Sequence, residues 1–314
     1  MSDIHASVLL DEVMDALSPH TDGVYLDCTC GLGGHTQALA ERSAPGGRVL
    51  SVDRDPKALA LAQGRLGRFK DRVTLVEGHF SDVSDYAGAS DHLPLDGVVA
   101  DLGVSSLQLD DAGRGFSFMR SGPLDMRMGP TVGPTAAELL EAFDAKQLGK
   151  ILREFGEVAR PRQVAEAVVT ARDAGQLTST KALADVIERA SGGRRASPIH
   201  PATRAFQAIR IAVNRELEEL SGLLRALVDL VRPGGRVAII SFHSLEDRLV
   251  KRAFTPPPPE PQPAKLPVEP VRPYAPWRPL TKKPVVPSAE EVERNPRSRS
   301  AKLRVAERNP PEAR

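Results

Sequence analysis

Val24-Tyr25-Leu26-Asp27-Cys28-Thr29-Cys30-Gly31-Leu32-Gly33-Gly34-His35 decides the fold. Apolar and aromatic residues run into an acid, then into a glycine cluster, then into helix formers: strand, tight turn, helix. Gly31, Gly33 and Gly34 let the backbone turn sharply and let a ligand approach the main chain. The helix expected from about Gly34 to Arg42 points unsatisfied N–H groups at that ligand. This is the nucleotide-facing turn of an open α/β sheet. It is not the dinucleotide fingerprint G-x-G-x-x-G, because Thr36 stands where the third glycine belongs.

The next strand, Arg48 to Asp53, ends in an acid where ribose hydroxyls would lie, and Asp55-Pro56 caps and opens the following helix. Nicotinamide enzymes and S-adenosylmethionine enzymes share that acid. The second ligand has no pyrophosphate and does not need the third glycine. Val73 to Val76 reads as a third strand, followed by Gly78-His79-Phe80, where Phe80 is either an adenine contact or a core residue at a strand end. Leu95 to Gly103 contains a fourth strand that again ends in an acid, Asp101.

Strand and helix then stop alternating. A polar, glycine-rich stretch from Val104 to about Pro130 leads into a helical block. In that block Thr135 with Glu138 and Asp144 with Gln147 form capping boxes, and Gly175 and Gly192 stop helices. Arg189, Arg194, Arg195, Arg204, Arg210 and Arg215 share an interval without any acid, which suits either phosphate binding or a solvated helix face. The sheet resumes after the helix Leu223 to Val231 with the strand Val237 to Phe242, and His243-Ser244-Leu245-Glu246-Asp247 crowds titratable groups onto its end. A proline-dense stretch, 256–279, reads as an extended excursion that Tyr274 and Trp277 either tack down or present to a partner. Lys282 to Pro287 and Ala301 to Ala306 read as the last two strands. The expected organisation is a doubly wound α/β domain in two parts, 1–105 and 206–314 with the excursion 255–280, interrupted by a loop and helical insertion, 106–205.

The 314 residues suffice for such a domain plus an insertion. A net charge of +1 gives no global basicity, so any contact with nucleic acid must be local. No apolar run is long enough to span a bilayer, and the start of the chain lacks the build of a signal peptide. Cys28 and Cys30 are the only 2 cysteines; so close together inside a turn they read as small buried fillers, neither a disulfide nor a metal pair. A reducing cytoplasm is the expected compartment.

These motifs carry a resemblance. Gly31-Leu32-Gly33-Gly34-His35, Asp53-Arg54-Asp55-Pro56, Asp101-Leu102-Gly103-Val104-Ser105-Ser106, Gln108-Leu109-Asp110, Arg114-Gly115-Phe116-Ser117-Phe118, Pro123-Leu124-Asp125-Met126-Arg127-Met128, His200-Pro201-Ala202-Thr203-Arg204 and Ser241-Phe242-His243-Ser244-Leu245-Glu246-Asp247-Arg248 together resemble the bacterial 16S ribosomal RNA cytidine-N4 methyltransferase family (MraW/RsmH type). Leu107 and Ser7 depart from it where the family often has proline, Cys30 replaces a more usual apolar or aromatic residue, and the proline-rich stretch looks like an enlarged insertion.

The resemblance implies a Rossmann-like class I methyltransferase sheet with a helical insertion. The implied reaction transfers a methyl group from S-adenosyl-L-methionine to the exocyclic amine of a decoding-region cytidine, with the small-subunit RNA or the assembled small subunit as partner. It leaves monomer and homodimer equally open. Carried over by position, cofactor contacts fall on Gly33, Gly34, His35, Asp53, Phe80, Asp101 and Gln108. Chemistry makes Asp101 the catalytic candidate, because a cytidine amine with a delocalised lone pair needs a positioned hydrogen-bond acceptor more than a strong base. Phe116 or Phe118 would stack on the base, Arg194, Arg195 and Arg204 would hold RNA, and His243 is a further substrate candidate. Rival expectations are another methyl acceptor, a silent RNA-binding factor on the same scaffold, and an oxidoreductase.

Overall fold

A computed structural model describes residues 7–129, 133–193, 200–258 and 273–311. The chain opens with α1 (Leu10–Leu17), then alternates β1 (Val24–Asp27), α2 (Gly34–Arg42), β2 (Arg48–Asp53), α3 (Pro56–Leu66), β3 (Val73–Glu77), α4 (Val83–Ala89) and β4 (Leu95–Asp101). Among the described residues α5 (Ser106–Asp110), α6 (Ala136–Ala142), α7 (Ala145–Glu154), α8 (Pro161–Asp173), α9 (Thr180–Ala190) and α10 (Pro201–Asn214) follow. The chain returns through α11 (Glu216–Leu230) to β5 (Val231–Ser241), α12 (Ser244–Phe254), β6 (Trp277–Pro279), α13 (Ala289–Arg294) and β7 (Lys302–Arg308). It divides into two compact units, Met1–Gly103 with Leu217–Arg314, and Val104–Glu216. The 205/206 cut expected from the sequence lies inside α10, whose buried face (Ala205, Phe206, Ala208, Ile209) packs in the core of the second unit.

The first unit holds a seven-stranded sheet in the order β3-β2-β1-β4-β5-β7-β6. β3 through β5 are parallel, while β7 runs antiparallel to β5 and to β6. This is the class I methyltransferase arrangement, with its antiparallel β7 beside β5. The side-chain period of two builds both faces. Val24 and Leu26 join a core made with α4, α11 and α12, whereas Tyr25 and Val49 join a core made with α1, α2 and α3. Because β1 is flanked by strands on both sides and covered on both faces, all its residues are buried.

Local signals held at the helix starts. Asp55 caps α3 with Pro56 in the first turn, and Thr135/Glu138 and Asp144/Gln147 form reciprocal capping boxes on α6 and α7. Gly175 and Gly192 follow α8 and α9 with φ of 68° and 88°. The C-terminal strands differ from expectation. Lys282 to Pro287 is not a strand; only Val285 bridges to Leu303, and the edge strand is instead β6. Trp277 supplies the reason: 2% exposed, it packs on Phe254 (ring centroids 5.8 Å) and draws 277–279 onto β7. Tyr274 meets Arg308, so the end of the proline-rich excursion is tacked down; 259–272 lie outside the described residues. β5 is also longer than expected and takes in Pro233-Gly234-Gly235, opposite a register irregularity at Leu95/Gly97.

In the second unit the stretch after β4 is not a free loop. α5 carries a Ser105/Gln108 capping box, and Leu124, Met126 and Met128 enter the apolar core with α6 to α10. Asn214 at the end of α10 locks it: Oδ1 accepts from Met128 N (2.7 Å), and Nδ2 donates to the carbonyls of Met126 (2.8 Å) and Arg210 (2.9 Å). Asn214→Ala would leave a buried N–H and a buried carbonyl unpaired, costing about 1–3 kcal/mol. Urea unfolding of the full chain should show that loss; an unchanged midpoint contradicts this role for Asn214.

Candidate functional site

Asp27, Asp53 and Asp101 end β1, β2 and β4, so the parallel register brings these acids to one edge of the sheet. The glycine turn lies at that edge. Cys30 N donates to the Val52 carbonyl and Gly33 N to the Cys30 carbonyl, which folds the turn back beside β2. Gly31 and Gly33 take φ of 51° and 77°, and a Cβ on Gly33 would come within 3.0 Å of Leu66. A Cβ on Gly34 would collide with the Ser7 hydroxyl. Gly33 and Gly34 are both buried, and the absence of a Cβ lets Leu66 and Ser7 pack directly against the start of α2.

Each predicted residue of this unit has a defined environment. Asp53 Oδ2 accepts from Gly31 N (2.7 Å) and Oδ1 from Asp55 N (2.9 Å), which fixes the carboxylate while leaving each oxygen further acceptor capacity. Burial pushes its pKa up, with Asp55 and Asp27 adding to the rise and the two N–H bonds opposing it. His35 is 4% exposed; its Nε2 donates to the Val8 carbonyl at 3.1 Å, and burial lowers its pKa. The ring is thus a neutral tether for the segment before α1, and only its main-chain N–H remains for an anionic ligand group. The same segment is held from the far end of the chain, where Leu9 N donates to Glu291 Oε1 (2.9 Å). Phe80, 8% exposed, is largely a core residue at the turn after β3, with the Arg54 guanidinium 5.6 Å from its ring centroid. Cys28 and Cys30 are buried fillers; burial, then Asp27, pushes the Cys30 thiol up to about 12, so it stays protonated near neutrality.

Asp101 stands apart. Its backbone N–H donates to Thr29 Oγ1 (2.7 Å), but its Oδ1 is buried with no hydrogen-bond partner among the described residues. Burial, then the charges of Asp27, Glu246 and Glu291, push its carboxyl well above the usual range. His243 caps α12 by accepting from Glu246 N (3.4 Å); its Nε2 lies 3.2 Å from Glu246 Oε1 and is buried without a hydrogen-bond partner among the described residues. The edge combines a glycine turn leading into a helix start, a fixed carboxylate suited to a diol, and buried acids that a cation would relieve. Those features fit S-adenosylmethionine, with its carboxylate, ribose and sulfonium.

The remaining candidates lie in the second unit. Gln108 is 5% exposed and its side chain is used locally: Oε1 accepts from Ser105 N (3.0 Å) and Nε2 donates to the Met128 carbonyl (3.4 Å). Phe116 is buried in the core, and Phe118 packs on His200 and Phe206 at 4.7 and 5.0 Å. Both rings thus serve the packing of this unit. Within the acid-free arginine interval, Arg210 forms a bidentate pair with the Glu216 carboxylate (2.8 Å each), while Arg204 donates to the backbone carbonyl of Glu157 (3.1 Å). Arg194 and Arg195 lie outside the described residues. His79 and Glu219, which the sequence did not single out, meet at 3.3 Å beside Phe80.

The described residues contain no helix long and apolar enough to cross a membrane. The chain matches the model of the MraW methylase family over residues 2–309. It is 49% identical over 304 residues to the ribosomal RNA small subunit methyltransferase H of Sorangium cellulosum, covering 97% of this chain and 90% of that one. It is 48% identical over 313 residues to the protein of the same name from Magnetococcus marinus, covering 98% and 99%. With the family pattern running through both units and the strand-end site, the chain belongs to the MraW methylase family.

Proposed function

We propose that this chain methylates the N4 amine of a cytidine in the decoding region of small-subunit ribosomal RNA, in the cytoplasm, with S-adenosylmethionine as donor. The observation that carries the site assignment is Asp101: a buried carboxylate oxygen without a partner at the end of β4, beside a cradle of glycines. The cofactor, when bound, supplies a methyl group on a positively charged sulfur.

The chain's own residues do the rest. Gly33 and Gly34 admit the amino-acid end to the main chain, and the N–H groups at the start of α2 face its carboxylate. Asp53 takes the ribose hydroxyls on lone pairs left free by Gly31 and Asp55. Asp101 accepts an N–H of the cytidine amine, fixing its orientation and drawing electron density toward nitrogen as attack proceeds, and the proton that the methylated nitrogen sheds passes along that hydrogen bond to the carboxylate. The base must leave its stack to reach this edge. The helical unit, 104–216, is the proposed RNA-holding part, with Arg204 and the arginines at 194 and 195 as phosphate contacts. Free RNA and the assembled subunit both present the same amine.

Asp53→Ala should weaken S-adenosylmethionine at least about tenfold in calorimetry, the loss of charge-assisted hydrogen bonds. Unchanged affinity in the folded variant removes Asp53 from the site. Asp101→Asn keeps shape and one acceptor but loses charge; single-turnover methylation at saturating cofactor should slow about 10²–10⁴-fold. Rates within about twofold of wild type leave Asp101 without a role in methyl transfer.

Asp101 also makes stability depend on pH. Its folded pKa lies above its unfolded value, so it contributes stability below the unfolded pKa that is lost as pH rises through the folded pKa. Asp101→Asn abolishes that loss. The ligand-free variant should gain thermal stability relative to wild type on moving from about pH 5 to about pH 8. A difference that does not change with pH contradicts the raised pKa.

A further inference from the structure

The turn after β3 is joined to the end of β2, because Gly78 N donates to the Asp53 carbonyl at 2.9 Å. His79 and Phe80 therefore lie next to the acid assigned to ribose, where a nucleoside's base must follow its sugar. α11 closes on this turn from the other side. A Cβ on Gly222 would stand 3.2 Å from Ser81 Cβ, so the helix backbone sits tightly against it. One turn earlier on the same face, Glu219 reaches in. Its Oε1 lies 3.3 Å from His79 Nδ1, with the side chains only 14% and 29% exposed.

Two polar atoms are left over. Glu219 Oε2 and His79 Nδ1 are both buried without a hydrogen-bond partner among the described residues. Burial by itself would raise the Glu219 carboxyl; the nearby polar groups of His79 and Ser81 and the charges of His79 and Arg54 outweigh it and hold it below the usual range. An ionised oxygen buried with nothing to accept from is costly, and an N–H donor relieves that cost. The next residue is Phe80, largely buried, with Arg54 against its ring.

We propose that Glu219, positioned by His79, is the base-reading residue of the nucleoside site and accepts a hydrogen bond from the exocyclic amine of adenine. This rests on the assignment of S-adenosylmethionine to the same sheet edge. The chemistry makes the site selective for a 6-aminopurine. A 6-oxopurine would set an acceptor oxygen against the carboxylate, and buried polar groups left unpaired are what give such sites their discrimination.

The test compares S-adenosylhomocysteine with S-inosylhomocysteine, in which a carbonyl replaces the amine, by calorimetry on wild type, Glu219→Gln and Glu219→Ala. Wild type should favour the adenosyl compound by about 100-fold or more. Glu219→Gln, whose amide both donates and accepts, should narrow that ratio at least about tenfold. Glu219→Ala should weaken the adenosyl compound much more than the inosyl one. A residue that merely anchors α11 would weaken both equally, so an unchanged ratio in variants that still bind overturns the proposal. Should Glu219→Ala not fold, the ratio for Glu219→Gln decides alone. If wild type binds neither compound, the cofactor assignment itself fails, and the base-reading role with it.

Discussion

Asp27 has no solvent exposure, and the geometry of the strand-end site hangs on how its carboxylate is satisfied. Oδ1 accepts from Thr29 N (3.0 Å) and Oδ2 from the Thr36 hydroxyl (2.6 Å), which in turn meets the Ser51 hydroxyl (2.7 Å). Thr29 then accepts from Asp101 N through its own hydroxyl. One buried acid thereby connects the end of β1, the first turn of α2, the middle of β2 and the end of β4. A fully satisfied buried network of this kind fixes a single arrangement, and a half-satisfied one would be worse than an apolar core. The network holds the glycine turn open while its members remain fixed.

The same economy of space gathers negative charge. Burial first, and then the neighbouring acids (Asp55 and Asp27 for Asp53; Asp27, Glu246 and Glu291 for Asp101), push the Asp53 and Asp101 carboxyls up. Such sites trade folded stability for binding: repulsion in the empty protein becomes attraction once a cation arrives. A sulfonium donor and an amine that gains positive charge as it is methylated both exploit this. The neutral His35 ring belongs to the scaffold instead, joining the glycine turn to the segment that Glu291 secures from nearly three hundred residues away in sequence.

Much of this was legible in the sequence, and the exceptions share a cause. Val24 to Asp53 announces itself through apolar runs, glycines and an Asp-Pro helix start, because strands, tight turns and caps are set by neighbouring residues. The family motifs placed the acids on the correct strand ends. What escaped depends on contacts between distant segments. Glu219 looks like any acid on an amphipathic helix, and only the fold aims it at His79. Glu216 neutralises Arg210 although it lies just outside the acid-free interval. Trp277, not the apolar run Val285-Val286, decides which segment becomes the edge strand, because a buried indole against Phe254 outweighs strand propensity. The local roles of Gln108 and Phe116, capping α5 and packing the core of the second unit, likewise emerge only from the fold.

The central claim concerns what is methylated and where. Small ribosomal subunits from cells lacking this enzyme, incubated with the protein and S-adenosylmethionine carrying a labelled methyl group, test it directly when the labelled nucleotide is mapped and hydrolysed. The account predicts label on the N4 nitrogen of a cytidine in the decoding region of the small-subunit RNA. Label on another base, on a ring carbon or on a ribose, or no transfer to either subunits or their extracted RNA, would contradict it.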